Sequence, residues 1–191
     1  KYNIIDSFHR FIQNKDYSIV LDGANIGFYG QRPDLGGEIN YLQIDIIANY
    51  FIQRGEQILI ILHSRHKRAT AKNTKIINKW YESGIIYFTP RNINDDIFWI
   101  YASLYKKNCF LVTNDKIRDH KFIINTLQDN KLRLPIFELW FTNYNIFYNF
   151  DDKLQIFYPS NYSEKIQKIS TNIYFPILEE GNIEWYYLAL S

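Results

Sequence analysis

Residues 17–25, YSIVLDGAN, decide the fold. The apolar run closes on Asp22 and lacks the alternation of a half-exposed strand, so it reads as a central strand covered on both faces. The pattern returns in QILIILH (57–63), IIYFTP (85–90) and CFLVTN (109–114). Helical spacing fills the gaps. A helix is expected over 41–53, with Leu42, Ile46 and Tyr50 on one face and Gly55 ending it. A second is expected over 73–83, stopping at Gly84, and a third from Asp95 and Asp96 to Lys106, because acids suit a helix N-terminus. A short fourth helix is expected over 116–127, and a helical lead-in over 1–16 carries Ile4, Ile5, Phe8, Phe11 and Ile12 at helix-like spacing. The Gly-rich stretch 23–37 reads as loop.

Strand and helix alternate four times, which predicts the α/β class: a parallel sheet of about four strands with helices on both faces. Three segments follow: 1–16 as lead-in, 17–130 as the α/β domain, and 131–191 as a β-rich aromatic extension. That extension is expected to add a strand or two that extend or cap the sheet, either packing on the α/β domain or belonging to a central domain. With 47% hydrophobic and 18% aromatic residues, the 191-residue chain can build a sizeable core. No apolar run approaches the roughly 20 residues of a membrane span, so no membrane partner is expected. No signal-peptide pattern opens the chain, and the lack of any Met points to processing or to a piece of a longer protein. The single cysteine, Cys109, excludes an internal disulfide and a Cys-rich zinc site within the chain; in its apolar run it reads as a buried thiol.

The acids carry the chemistry. Asp22, Asp95, Asp96, Asp115 and Asp119 all fall at strand C-termini or just after them, the edge where open α/β sheets bind ligands. Carboxylates gathered there repel one another, and a hard divalent cation, Mg²⁺ or Mn²⁺, relieves the repulsion. Each acid also has an ordinary reading: Asp22 as a turn former, Asp95 and Asp96 as helix-terminal acids, one of them capping. Asp115 and Asp119, four apart, share a face if the helix starts at Asp115, and like charges so spaced destabilise it unless a cation intervenes. Asn25 and Asn114 can orient water or a carboxylate, Gly23 allows close backbone approach to a ligand, and His120 is a candidate donor beside the acids or a surface histidine. Arg65, His66, Lys67, Arg68 and Lys72 form a basic loop, either solvated or a clamp on substrate phosphates. The pattern fits two-metal phosphodiester hydrolysis, in which one ion activates water and the other stabilises the leaving oxygen. Most rings of the last third are expected in the core.

LDGANIGFYGQ (21–31), LHSRH (62–66), W-Y-x-S-G-I-I-Y-x-T-P (80–90), NDDIFWIYAS (94–103) and LVTNDKIRDH (111–120), in that order, resemble the catalytic domain of protein-only RNase P, within the NYN group of PIN-like metallonucleases. The likeness is good over 17–126 and continues loosely through LWF (139–141) and FPILEEGNIEW (175–185). DGAN is common to NYN nucleases, whereas NDD followed by Trp and Tyr, together with TNDxxRDH, is far more specific. The resemblance implies removal of the 5′ leader of precursor tRNA, leaving a 5′ phosphate and a 3′ hydroxyl. It implies that Asp22, Asp95, Asp96 and Asp115 hold metal and that Asp119 supports them. An organelle, mitochondrion or plastid, is favoured over the nucleus. The family's zinc module needs a C-x-x-C pair absent here, and Tyr186 stands where a His often follows Trp185, so structural Zn²⁺ is not expected in this piece. The helical-repeat RNA-binding domain of many relatives is also absent and is expected upstream in the same protein. Two other readings stay open: another NYN or PIN-type ribonuclease with a different RNA target, and a non-catalytic RNA-binding scaffold that uses the acids structurally.

Overall fold

The computed structural model describes residues 2–31, 37–67, 71–126, 133–160, 166–169, 171–179 and 182–189. The chain divides into two compact units, Lys1–Tyr158 and Pro159–Ser191. In the first, β1 (Ile19–Asp22), β2 (Ile58–His63), β3 (Ile86–Thr89), β4 (Phe110–Val112), β5 (Asn145–Asn149) and β6 (Gln155–Phe157) form one sheet in the order β3-β2-β1-β4-β5-β6. All pairs are parallel except β5 with β6. The four expected strands are present, and β5 and β6 extend the sheet as the aromatic segment was expected to do.

Alternation along β1 divides the core. Ile19 and Leu21 face a layer made by α2 (Gly23–Gly27), α3 (Tyr41–Ile52) and α4 (Ala71–Glu82), where Ile26, Ile44, Phe51 and Trp80 are fully buried. Val20 faces α1 (Tyr2–Gln13), α5 (Asp96–Tyr105) and α7 (Arg133–Tyr144), where Phe8, Ile12, Phe98 and Trp99 are fully buried. Helices on both faces bury every residue of β1 and β2, which is why those strands read as unbroken apolar runs. Gly55 and Gly84 end α3 and α4 as expected, with φ of +80° and +65°, conformations that disfavour a Cβ.

Four local readings are corrected. The start of the expected loop is α2, capped by Asp22 through a hydrogen bond from the Asn25 amide. The buried face of α3 is Tyr41, Ile44, Ile47, Ala48 and Phe51, while Leu42 and Ile46 are exposed, because the apolar stripe one residue round packs on the sheet. The helix after β4 is α6 (Arg118–Thr126) and starts beyond Asp115, because the Asp115 carboxylate accepts from the Ile117 amide and holds a turn instead. Residues 133–144, expected to be β-prone, form α7, in which Pro135 sits in the first turn, where no intrahelical N–H bond is lost. Phe137 and Phe141, four apart, supply its buried stripe. Residues 133–158 therefore fold in the first unit with the strands before them.

The second unit holds an antiparallel sheet of β7 (Gln167–Ile169), β8 (Asn172–Glu179) and β9 (Asn182–Ala189). Its aromatics pair across strands, Tyr174 with Tyr187 and Phe175 stacked on Tyr186. Pro176 lies beyond the stretch paired with β7, an edge setting that a proline tolerates. Among the described residues, no helix is long and apolar enough to cross a membrane.

Phe8 touches Phe11, Tyr87, Phe98 and Tyr101, which makes α1 part of the core. Phe8→Ala is expected to lower stability by about 3–5 kcal/mol, read from the urea midpoint at unchanged slope. A loss near zero would mean that α1 docks loosely.

Candidate metal centre

Strand order brings the ends of β1, β2 and β4 together, and a cavity of about 440 Å³ opens at that edge. Asp22, Asp95, Asp96 and Asp115 line it, with Asn25, Asn94, Asn114, Arg65, Phe28, Tyr29 and Tyr148. Four of the five expected acids thus share one pocket. Asp119 does not line it; it is exposed in the first turn of α6.

Each acid is held differently. Asp22 is buried, with one oxygen accepting from the Asn25 amide (3.1 Å) and the other from the Thr113 hydroxyl (2.9 Å). Burial drives its pKa from 3.8 up to about 8, despite these two bonds, and Asp95 and Asp96 push the same way. Asp95 is buried at the N-cap position of α5 yet makes no capping bond, and its Oδ2 has no hydrogen-bond partner. Burial raises its pKa too, and Asp96 adds to this. Asp96 Oδ2 accepts from the Asn94 amide (2.8 Å) and lies 3.2 Å from His120 Nε2. That contact raises the His120 pKa against the opposing effect of burial, with Asp115 and Asp119 adding to the rise. Asp115 turns on its own bond to Ile117, whose φ of +47° is strained for a buried β-branched residue.

Thr113 and Tyr148, which sequence reasoning passed over, join Asn25 and Asn114 in holding these acids and their loops in place. The Thr113 hydroxyl donates to Asp22 and accepts from the Asp115 amide (3.1 Å), linking two carboxylate-bearing segments through one atom. Asn25 Oδ1 accepts from the Asn114 amide (2.9 Å) and the Tyr148 hydroxyl (2.6 Å). Asn114 then pairs its side chain with the Tyr148 backbone, accepting at 3.1 Å and donating at 2.8 Å. Asn25 and Asn114 therefore brace loops while both line the pocket. Gly23 makes its close approach to protein, since a Cβ there would sit 2.8 Å from the Ile61 carbonyl of β2. The only available sequence signal was T-N-D after a buried strand; nothing local marked Tyr148.

In the basic loop, a 3₁₀ turn over Ser64–Lys67 carries Arg65 into the pocket lining. His63 Nδ1 accepts from the Arg65 amide (3.0 Å), so Nε2 carries the proton facing the Arg91 carbonyl at 3.2 Å. Arg65 Nε donates to His66 Nε2 (2.8 Å). Burial, then Arg65 and His63, lower the His66 pKa to about 4, so His66 is neutral and orients Arg65 instead of adding charge. Lys67 lies over the Phe88 ring. Arg68 lies outside the described residues, and the side chain of Lys72 does as well.

The donor set suits a hard cation: oxygen ligands, a buried orphan oxygen on Asp95, and a cavity that admits water. Among the described residues, no three His, Cys, Asp or Glu side chains are grouped tightly enough to chelate one ion as they stand.

Known proteins share this sequence and fold. The family model for protein-only RNase P matches residues 3–186. Proteinaceous RNase P 2 of Arabidopsis thaliana is 32% identical over 177 residues, covering 88% of this chain and 32% of that protein. Proteinaceous RNase P 1, chloroplastic/mitochondrial, of the same plant is 39% identical over 117 residues, covering 56% and 19%. A crystal structure of nuclear proteinaceous RNase P 2 from A. thaliana superposes with a TM-score of 0.75 at 28% identity, over 95% of this chain and 39% of that one. A second structure of the nuclear protein gives 0.74 at 27% identity, over 98% and 40%. The chain thus spans about a third of the length of the first of these relatives. The organellar expectation is overturned by the structural matches, which are to a nuclear protein, so likeness to the family gives no ground for preferring an organelle.

Two outcomes follow from the geometry. Tyr148→Phe removes the hydroxyl that braces Asn25 and is expected to lower stability by about 1–2 kcal/mol, measured by denaturant unfolding. Asp22 binds its proton more tightly folded than unfolded. In chelator, its contribution is present below about pH 4 and is lost as pH rises to about 8. The melting temperature of the metal-free chain should therefore fall across that window, and Asp22→Asn should flatten the fall. Identical pH profiles for the two would refute the burial argument.

Proposed function

The chain belongs to the protein-only RNase P family, and from that premise we propose that it is the metallonuclease part of an enzyme that removes the 5′ leader of precursor tRNA. The observation that carries the reading is the convergence of Asp22, Asp95, Asp96 and Asp115 on one pocket at the carboxyl edge of the sheet. Metal dependence is general to the family. Here Mg²⁺ or Mn²⁺ would be held by those four acids; when bound, it lowers the pKa of water and offsets charge developing on the phosphate.

The chain's own residues do the rest. Thr113 fixes Asp22 and the Asp115 backbone, and His120 with Asn94 fixes Asp96. Asp119 acts on His120 through charge, a supporting role outside the pocket. Arg65, oriented by neutral His66, supplies a cation for the substrate phosphate, and Lys67 adds a more distant one. Cleavage leaves a 5′ phosphate and a 3′ hydroxyl. The chain spans 32% of its relative, and helical RNA-binding repeats elsewhere in the protein are proposed to add grip on the tRNA.

The test is cleavage of a 5′-labelled precursor tRNA by the full-length protein. A single cut at the mature 5′ end with Mg²⁺, lost in excess EDTA, is expected. His120→Asn should slow cutting by about 10–100-fold, as for groups that orient metal ligands, and Asp96→Asn by more, with folding intact. Cuts elsewhere would favour another NYN-type ribonuclease. Full activity in folded Asp96→Asn would overturn the assignment of the centre.

A further inference from the structure

A second cavity, of about 290 Å³, lies where α5 hands over to β4 and is lined chiefly by Lys106, Lys107, Asn108, Cys109, Trp140 and Tyr144. It is at the amino end of β4, whereas the carboxylates stand beyond the carboxyl end of that three-residue strand, roughly 10 Å or more away. The chain leaves α5 at Lys106 and reverses through Asn108, whose φ is +58°. Lysines after a helix are favoured by its dipole, which accounts for their charge. It does not account for the wall opposite. There Trp140 and Tyr144, four apart on α7, bring two half-buried rings to the same cavity.

Among the described residues, neither lysine is ion-paired; Lys106 only lies over the Tyr17 ring at 5.5 Å. No carboxylate lines the cavity. Asn108 accepts weakly from the Tyr144 hydroxyl at 3.4 Å, which leaves its amide N–H groups for another acceptor. The Cys109 thiol, pushed up to about 12 by burial, is inert and contributes only apolar surface. Two unneutralised ammonium groups, two π-faces and an amide donor are the recognition set for a ligand that is flat at one end and anionic at the other.

We propose that this cavity binds a nucleotide, its base against Trp140 and Tyr144 and its phosphate on Lys106 and Lys107. The nucleotide belongs either to a single-stranded segment of RNA or to a free mononucleotide. The site is independent of metal and of cleavage, and nucleotides that reach it lie at the opposite end of β4 from any bond cut at the carboxylates.

The experiment uses the whole chain in EDTA, so that the acidic pocket has no metal and no cutting occurs. Binding of UMP, AMP and a fluorescent single-stranded decaribonucleotide is measured across salt concentrations. Lys106→Ala/Lys107→Ala changes surface side chains and should keep its melting temperature. It is expected to bind about tenfold more weakly, with a salt slope shallower by about 0.7, the contribution of the one single-strand phosphate that both lysines hold. A decamer carrying 4-thiouridine should photo-crosslink to 137–144. Binding of the decamer alone identifies an RNA segment, and equal binding of a mononucleotide identifies a free ligand. Binding of neither, an unchanged salt slope in the double variant, or crosslinks confined to other segments would overturn the proposal. Because no readout involves cutting, it can fail while leader removal stands, and the converse.

Discussion

The burial of carboxylates at one sheet edge is the constraint on which this structure turns. Asp22 and Asp95 are taken out of water, which pushes both carboxyls upward, and neighbouring charge adds to it, from Asp95 and Asp96 on Asp22 and from Asp96 on Asp95. An arrangement of that kind costs stability and persists only when its surroundings over-determine it. Here they do: one hydroxyl, Thr113, spans Asp22 and Asp115, while Asn25, Asn114 and Tyr148 interlock the segments around it. The left-handed Ile117 belongs to the same frame.

That frame depends on strand order. Because β1 lies between β2 and β4, the ends carrying Asp22, His63 and Thr113 are neighbours, and the turn into α5 brings Asp95 and Asp96 beside them. The apolar strands and the helices on both faces keep the sheet rigid and dry up to that edge, and the polar chemistry begins where the strands stop. Tyr148 shows that β5 is part of the same apparatus, although it enters from a segment that reads as an appendage.

The two cavities have opposite chemistry. At the carboxyl edge, acids surround an orphan oxygen; at the amino edge, lysines with no ion pair among the described residues face aromatic rings. Under the proposed function both have a use, since a metal-assisted cut and a grip on nucleotides make opposite electrostatic demands.

Much of this was legible in the sequence. Apolar runs ending in acids give buried parallel strands because hydrophobic periodicity is local, and Gly55 and Gly84 mark helix ends through a backbone preference of the residue itself. The four acids of the pocket could be named because they recur just after strands. What failed was whatever depended on partners distant in sequence. Leu42 and Ile46 matched helical spacing, yet the sheet selected the neighbouring stripe of α3. Asp119 matched a face of a helix that begins three residues after Asp115. Residues 133–144 have strand-like composition, yet packing of Phe137 and Phe141 on α1, α5 and the sheet makes them a helix. The sequence by itself determined the parallel α/β core and the acids at its edge, because both follow from patterns within a few residues. Only the tertiary structure decided that Thr113, Tyr148 and His120 hold those acids, because their bonds to Asp22, Asn25 and Asp96 join residues 91, 123 and 24 positions apart.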